Sequence, residues 1–137
     1  MKQDTRKRFV NWLIKKAKKD KKIILLTGDL GFNFVEPFQK EFPDRFINCG
    51  VAEQNMIGVA TGMALAGLKP YCYSGIVFLN YKCSEQIRDA WMQGLDVRVV
   101  ATRVGQFLGF THNMQEGETE PLEQLSKLLK NKNYIKL

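Results

Sequence analysis

Ile23-Ile24-Leu25-Leu26-Thr27-Gly28-Asp29 is an unbroken apolar run that stops on a glycine and an acid. Four aliphatic residues in a row suit a strand buried on both faces, because a strand with one wet face alternates instead. Upstream, Phe9, Leu13 and Ala17 recur at i, i+4 and i+8 with Trp12 beside them, which predicts an amphipathic helix near 4–19. Downstream, 34–42 reads as a short helix stopped by Pro43, and 45–49 as a second short strand. A turn at Gly50 opens a helix over about 53–66, closed by Gly67. The pattern then repeats, with a strand at 70–77, a helix at 79–93 and a strand at 97–102. A loop bearing Gly105, Gly109 and Gly117 leads to a helix near 120–130 and a short strand at 133–136. Alternating strands and helices with near-continuous apolar strands predict an α/β fold, a mainly parallel sheet with helices on both faces. Ligands of such sheets gather beyond the carboxyl ends of the strands, here 28–30, 50–53, 75–81 and 103–112.

The composition narrows the classes. With 137 residues, 45% of them apolar and 26% charged, the chain is expected to form one domain over 1–137. Its longest apolar runs are far short of a membrane span, and the basic start has no apolar segment behind it, so a cytoplasmic location is expected. Cys49, Cys72 and Cys83 form no Cys-x-x-Cys pair, which predicts free thiols and gives no case for zinc or redox chemistry. Residues 1–22 carry +8 of a net charge of +7, so the rest of the chain is at −1. That basic lead is read as the solvated face of the first helix, since no aromatic residues interleave with the lysines to stack on bases.

The helix at 53–66 is rich in small residues, Gly58, Ala60, Gly62, Ala64 and Ala66, which cost helix propensity and make sense where another backbone comes close. Its surroundings, Cys49-Gly50-Val51-Ala52-Glu53-Gln54-Asn55-Met56-Ile57-Gly58-Val59-Ala60-Thr61-Gly62-Met63-Ala64, closely resemble the signature of the transketolase pyrimidine-binding domain. Gly28-Asp29-Leu30, Phe78-Leu79-Asn80-Tyr81, Glu85-Gln86-Ile87-Arg88 with 95–102, and Thr111-His112 are similar to further family motifs and stand in the same order. The likeness runs over roughly 20–135. It implies a thiamine diphosphate domain of the group that includes transketolases, deoxyxylulose-phosphate synthase and the second subunit of 2-oxoacid dehydrogenases.

The same resemblance assigns roles. Glu53 would be the catalytic acid that hydrogen-bonds the ring nitrogen N1′ of the cofactor and favours its imino tautomer. An apolar, poorly hydrated setting suits such proton sharing. Taken on its own, Glu53 also suits a helix first turn, where the macrodipole favours an acid. Phe78 and Tyr81 match the two aromatics that pack the aminopyrimidine, although aromatics at such a place commonly just fill core. Asp29 matches an acid that helps hold the cofactor across a subunit interface. His112, the lone histidine, matches a residue near the reacting end, and Arg103 stands where many transketolases have a substrate-contacting histidine. The Gly-Glu-Asp-Gly run that precedes Thr-His in standard transketolases is replaced by Gln106-Phe107-Leu108-Gly109-Phe110.

Half of the expected site is missing from the chain. Gly28-Asp29-Leu30 is not the Gly-Asp-Gly…Asn motif that holds Mg²⁺ and the diphosphate in this group, so the metal is expected on a partner. The expected assembly is α2β2 or larger with a diphosphate-binding transketolase-like subunit, acting on a small sugar or sugar phosphate. Both a split-gene subunit and an excised domain suit the sequence, and the former is expected. The expected reaction is transfer of a two-carbon ketol unit. A thiamine-dependent 2-oxoacid decarboxylase or synthase, a non-catalytic partner-binding relic and a basic binding module built on 1–22 are the alternatives.

Overall fold

The computed structural model describes residues 4–102 and 120–137. Its elements, in chain order, are α1 (Thr5–Lys19), β1 (Ile23–Thr27), α2 (Glu36–Glu41), a 3-10 turn (Pro43–Arg45), β2 (Phe46–Asn48), α3 (Glu53–Leu65), β3 (Lys69–Gly75), α4 (Ile76–Lys82), α5 (Ser84–Met92), β4 (Arg98–Thr102), α6 (Glu120–Leu128) and β5 (Tyr134–Lys136). The five strands form one sheet in the order β2-β1-β3-β4-β5, and every pairing is parallel.

The interior strand β1 obeys the reading of its apolar run, since all five of its residues are buried. Alternate side chains serve opposite faces. Ile24, Leu26, Cys72, Val99 and Ala101 share one core with Met56, Ile57 and Ala60 of α3 and with α4, α5 and Leu122 of α6. Ile23, Leu25, Tyr71, Tyr73 and Val100 share the other core with Phe9, Val10, Leu13 and Ala17 of α1 and Phe38 of α2. The basic segment is thus a core helix. Asp4 caps it by accepting from the Arg6 N–H at 2.9 Å, and Lys16, Lys18 and Lys19 lie in its last turn, where the helix dipole favours cations.

Two expected boundaries move. The helix predicted at 34–42 is confined to Glu36–Glu41, because Pro37 sits in the first turn, the one place where a missing N–H costs no helical hydrogen bond. The segment expected as a strand to Val77 and a helix from 79 turns instead at Gly75, and α4 begins at once with Ile76. Ile76, Val77, Phe78 and Leu79 are all buried, so their apolar run comes from a helix packed in the core and carries no period that separates it from a strand. A break at Cys83 (φ −120°, ψ 0°) splits the expected single helix into α4 and α5.

The strand order directs attention to one place. From β1 the chain passes to β2 on one side, returns over β1 through α3, and continues outward through β3, β4 and β5. The direction of progress therefore reverses between β1 and β3. In open parallel sheets the loops part at such a reversal, so the ligand crevice is expected beyond the carboxyl ends of these two strands.

Candidate functional site

Two turns meet at this place. After β1, the Thr27 hydroxyl donates to the Leu30 carbonyl at 2.6 Å and accepts from the Leu30 N–H at 3.2 Å, closing a tight bend. Asp29, inside that bend, has a left-handed backbone at φ +55°, a conformation that non-glycine residues other than Asn and Asp rarely adopt. After β2, Asn48 Oδ1 accepts from the N–H groups of Asp29 (3.1 Å) and Gly50 (2.9 Å), and Asn48 Nδ2 donates to Asp29 Oδ1 at 2.9 Å. Gly50, at φ +71°, lets the chain reverse, its carbonyl accepts from the Ala52 N–H at 2.8 Å, and α3 starts at Glu53.

Glu53 is 3% exposed, which is exceptional for a carboxylate and requires a compensating partner. That partner is Lys82, the last residue of α4, whose Nζ lies 3.2 Å from Glu53 Oε2 and 4.8 Å from the centre of the Phe78 ring. Space opposite the acid is tight. A Cβ on Gly28 would come within 3.3 Å of Glu53 Cγ and 3.6 Å of both the Gly50 carbonyl and Ser74 Oγ. Ser74, near the end of β3, is fully buried, and its hydroxyl has no hydrogen-bond partner among the described residues. Cys83, next to Lys82 in the chain, feels the charge of the same acid. Burial pushes its thiol up to about 12, and the Glu53 charge adds to the effect.

The residues singled out in the sequence fall as follows. Glu53 and Asp29 flank the β1–β3 crevice, Asp29 next to the Gly28 that faces Glu53. Phe78 lies beneath Lys82 and is 8% exposed, on the buried side of α4 rather than at a strand end. Tyr81, one turn further along α4, is 69% exposed. Arg103 and His112 lie outside the described residues. Lys82, Ser74 and Asn48 escaped the sequence reading. A lysine at a helix end reads as solvated, whereas this one closes α4 within reach of Glu53 at the start of α3. Among the described residues, no group of three or more histidine, cysteine or acidic side chains could hold a metal ion. No helix among them is long and apolar enough to cross a membrane.

The chain matches the family described as "Transketolase, pyrimidine binding domain" over residues 1–120. It belongs to that family. Among similar proteins, a 1-deoxy-D-xylulose-5-phosphate synthase of Halothermothrix orenii is 40% identical over 101 residues, which are 71% of this chain and 15% of that protein. A putative transketolase C-terminal section of Methanocaldococcus jannaschii is 41% identical over 106 residues, covering 76% of this chain and 34% of the relative. A solved structure described as a split gene transketolase, inactive beta4 tetramer, superposes with a TM-score of 0.69 at 27% identity, over 97% of this chain and 50% of that one. The aligned part of this chain thus spans no more than about a third of these two curated relatives. Membership in the family implies use of thiamine diphosphate.

Proposed function

We propose that this chain is the pyrimidine-binding subunit of a two-component transketolase-like enzyme that transfers a two-carbon ketol unit between sugars. The single domain over 1–137 would supply the acid, and a separate chain would supply the Mg²⁺ and diphosphate site, so that the chain is inactive alone. The observation that carries this reading is a carboxylate, Glu53, buried at 3% exposure where the sheet's topology opens a ligand crevice. A buried acid at the mouth of such a crevice is a functional-site candidate on physical grounds.

The residues present fit the pyrimidine end of thiamine diphosphate. A glycine where a Cβ would crowd the acid (Gly28), a buried hydroxyl lacking a described partner beside that glycine (Ser74) and an aromatic ring under the acid's lysine partner (Phe78) gather at Glu53. When bound, the cofactor supplies a nucleophilic ring carbon, whose proton is removed with the help of its own amino group. In this reading Glu53 holds a proton at a carboxyl oxygen against the ring nitrogen, Phe78 packs the ring face and Ser74 offers a hydrogen bond. Asp29 and Tyr81 complete the contacts of this chain, with His112 and Arg103 toward the substrate. Exclusion of water around Glu53 strengthens that proton sharing.

The need for a partner is supported by α3. Space over Gly58 and Gly62 is open, and Val51, Val59 and Leu65 are exposed beside it. A helix with apolar residues left outside its own core is the kind of surface that another subunit covers, here in an α2β2 or larger assembly in the cytoplasm. The similarity to a structure titled split gene transketolase points the same way. The likeness to a deoxyxylulose-phosphate synthase keeps a 2-oxoacid decarboxylase or synthase as the second reading.

The test is reconstitution with a diphosphate-binding transketolase-like chain, Mg²⁺ and thiamine diphosphate. Ketol transfer is expected for the wild type and a loss of at least ~100-fold for Glu53→Gln. Equal activity of the two would refute the assignment of Glu53. Consumption of pyruvate without transfer from a ketose would favour the second reading.

A further inference from the structure

We infer that Asn48 is a positioning residue that presets both walls of the Glu53 crevice by clasping the loop after β1 to the loop after β2. The inference rests on the function proposed above for what the crevice holds, but not for the clasp itself. Three hydrogen bonds converge on this one amide. Its oxygen takes the Asp29 and Gly50 N–H groups, and its nitrogen gives to the Asp29 carboxylate. Each end of the clasp sits where the backbone is otherwise disfavoured or free. Asp29 is held at φ +55° by a side chain 19 residues away, and Gly50 at φ +71° has no atom within 4 Å of where a Cβ would stand.

The clasp reaches the acid through the adjoining turns. Gly28 precedes Asp29 and approaches Glu53 Cγ, while Gly50 accepts from the Ala52 N–H one residue before Glu53. Asn48 is the last residue of β2, and the next main-chain bond, Cys49 N–H to the Thr27 carbonyl at 2.8 Å, continues the ladder between the same two strands. The sheet therefore fixes the amide's position, and the amide fixes the two turns. An amide is required because it must accept twice and donate once. Aspartate at 48 could accept but would face the Asp29 carboxylate with no proton to give. Prealignment of this kind matters because a displacement of about 1 Å near a reacting group can cost ~100-fold in rate.

The decisive variants are Asn48→Asp, Asn48→Ala and the reciprocal swap Asp29→Asn/Asn48→Asp, made in the full chain. The swap keeps one amide and one carboxylate in contact with their places exchanged. Amide hydrogen exchange at positions 29 and 50, followed by NMR, is expected to quicken roughly three- to ten-fold in both single variants and to return near wild type in the swap. Unchanged exchange in Asn48→Asp, or no recovery in the swap, would overturn the clasp. In the reconstituted enzyme, Asn48→Ala is expected to raise the thiamine diphosphate concentration needed for half activation by roughly ten-fold more than it changes kcat or the melting temperature would explain. A fall in stability alone, with that concentration unmoved, would make Asn48 merely structural and overturn the positioning role. Failure of the functional reading looks different. Wild type would then show no thiamine diphosphate response at all, while the exchange results stood.

Discussion

Lys82 Nζ lies 3.2 Å from Glu53 Oε2, and the two ends of the pair see different solvents, with the carboxylate side chain 3% exposed and the lysine 46%. An acid so enclosed cannot satisfy itself with water, whereas the ammonium can leave. The pair is therefore a compensated buried charge with one movable member. Removing the lysine should cost more than breaking a surface pair and less than breaking a fully buried one. Lys82→Met is expected to lower stability by about 1–2 kcal/mol near neutral pH. In Lys82→Met/Glu53→Gln most of that loss should return, because no charge is left to compensate. Urea unfolding of the four proteins measures the coupling. Additive losses would mean that the contact contributes nothing.

Gly28 carries a second expectation. Nothing about its backbone demands glycine through a left-handed φ, so the constraint is the space beside Glu53. A methyl group there would press on Glu53 Cγ at 3.3 Å and force the acid to give by a few tenths of an ångström. Gly28→Ala is expected to lower cofactor-dependent activity of the reconstituted enzyme by about ten-fold while leaving thermal unfolding nearly unchanged. Wild-type activity in this variant would show that Glu53 tolerates displacement and that its placement is not tuned.

The sheet and the acid were legible from opposite kinds of evidence. The run 23–26 announces a strand buried on both faces through composition alone, and Gly50 followed by Glu53 announces a turn and helix start through local backbone chemistry. Residues 76 and 77 read as strand because a helix packed inside the core is as uniformly apolar as a strand. Lys82 and Asn48 were invisible for another reason. Their importance depends on residues 29 and 19 positions away, brought near only by the parallel order of the strands. The family motifs placed Arg103 and His112 in the site, and those residues fall outside the described structure.

The basic first helix offers a sharp contrast within a few residues. Leu13 is fully buried against the β1 face of the sheet, while Lys15, Lys16, Lys18 and Lys19 are exposed. Leu13→Ala should destabilise by about 2–5 kcal/mol, the usual cost of a cavity under a core helix. Lys15→Gln should change stability by no more than about 0.5 kcal/mol. Chemical denaturation compares them directly. A tolerant Leu13 would mean that α1 is an appendage, reopening the reading of 1–22 as a separate binding arm.

Alkaline pH provides the last test, and its direction follows from burial. Burial pushes the Cys83 thiol from 9.0 to about 12 and the Tyr73 phenol from 10.0 to about 12, and it raises Cys72 as well. These groups are acids that the fold keeps protonated. Above pH ~9 the unfolded chain begins to lose their protons while the folded chain does not, so unfolding is favoured progressively. Their contribution is fully present below the unfolded values and disappears as pH climbs through the folded ones. Stability should thus fall as pH climbs from about 9 to 12, with Cys83→Ala showing a shallower fall than the wild type over that window. Denaturant midpoints measured at pH 8, 9, 10 and 11 decide it. A wild type and a Cys83→Ala variant with parallel profiles would show that the thiol near Glu53 titrates as freely in the fold as outside it.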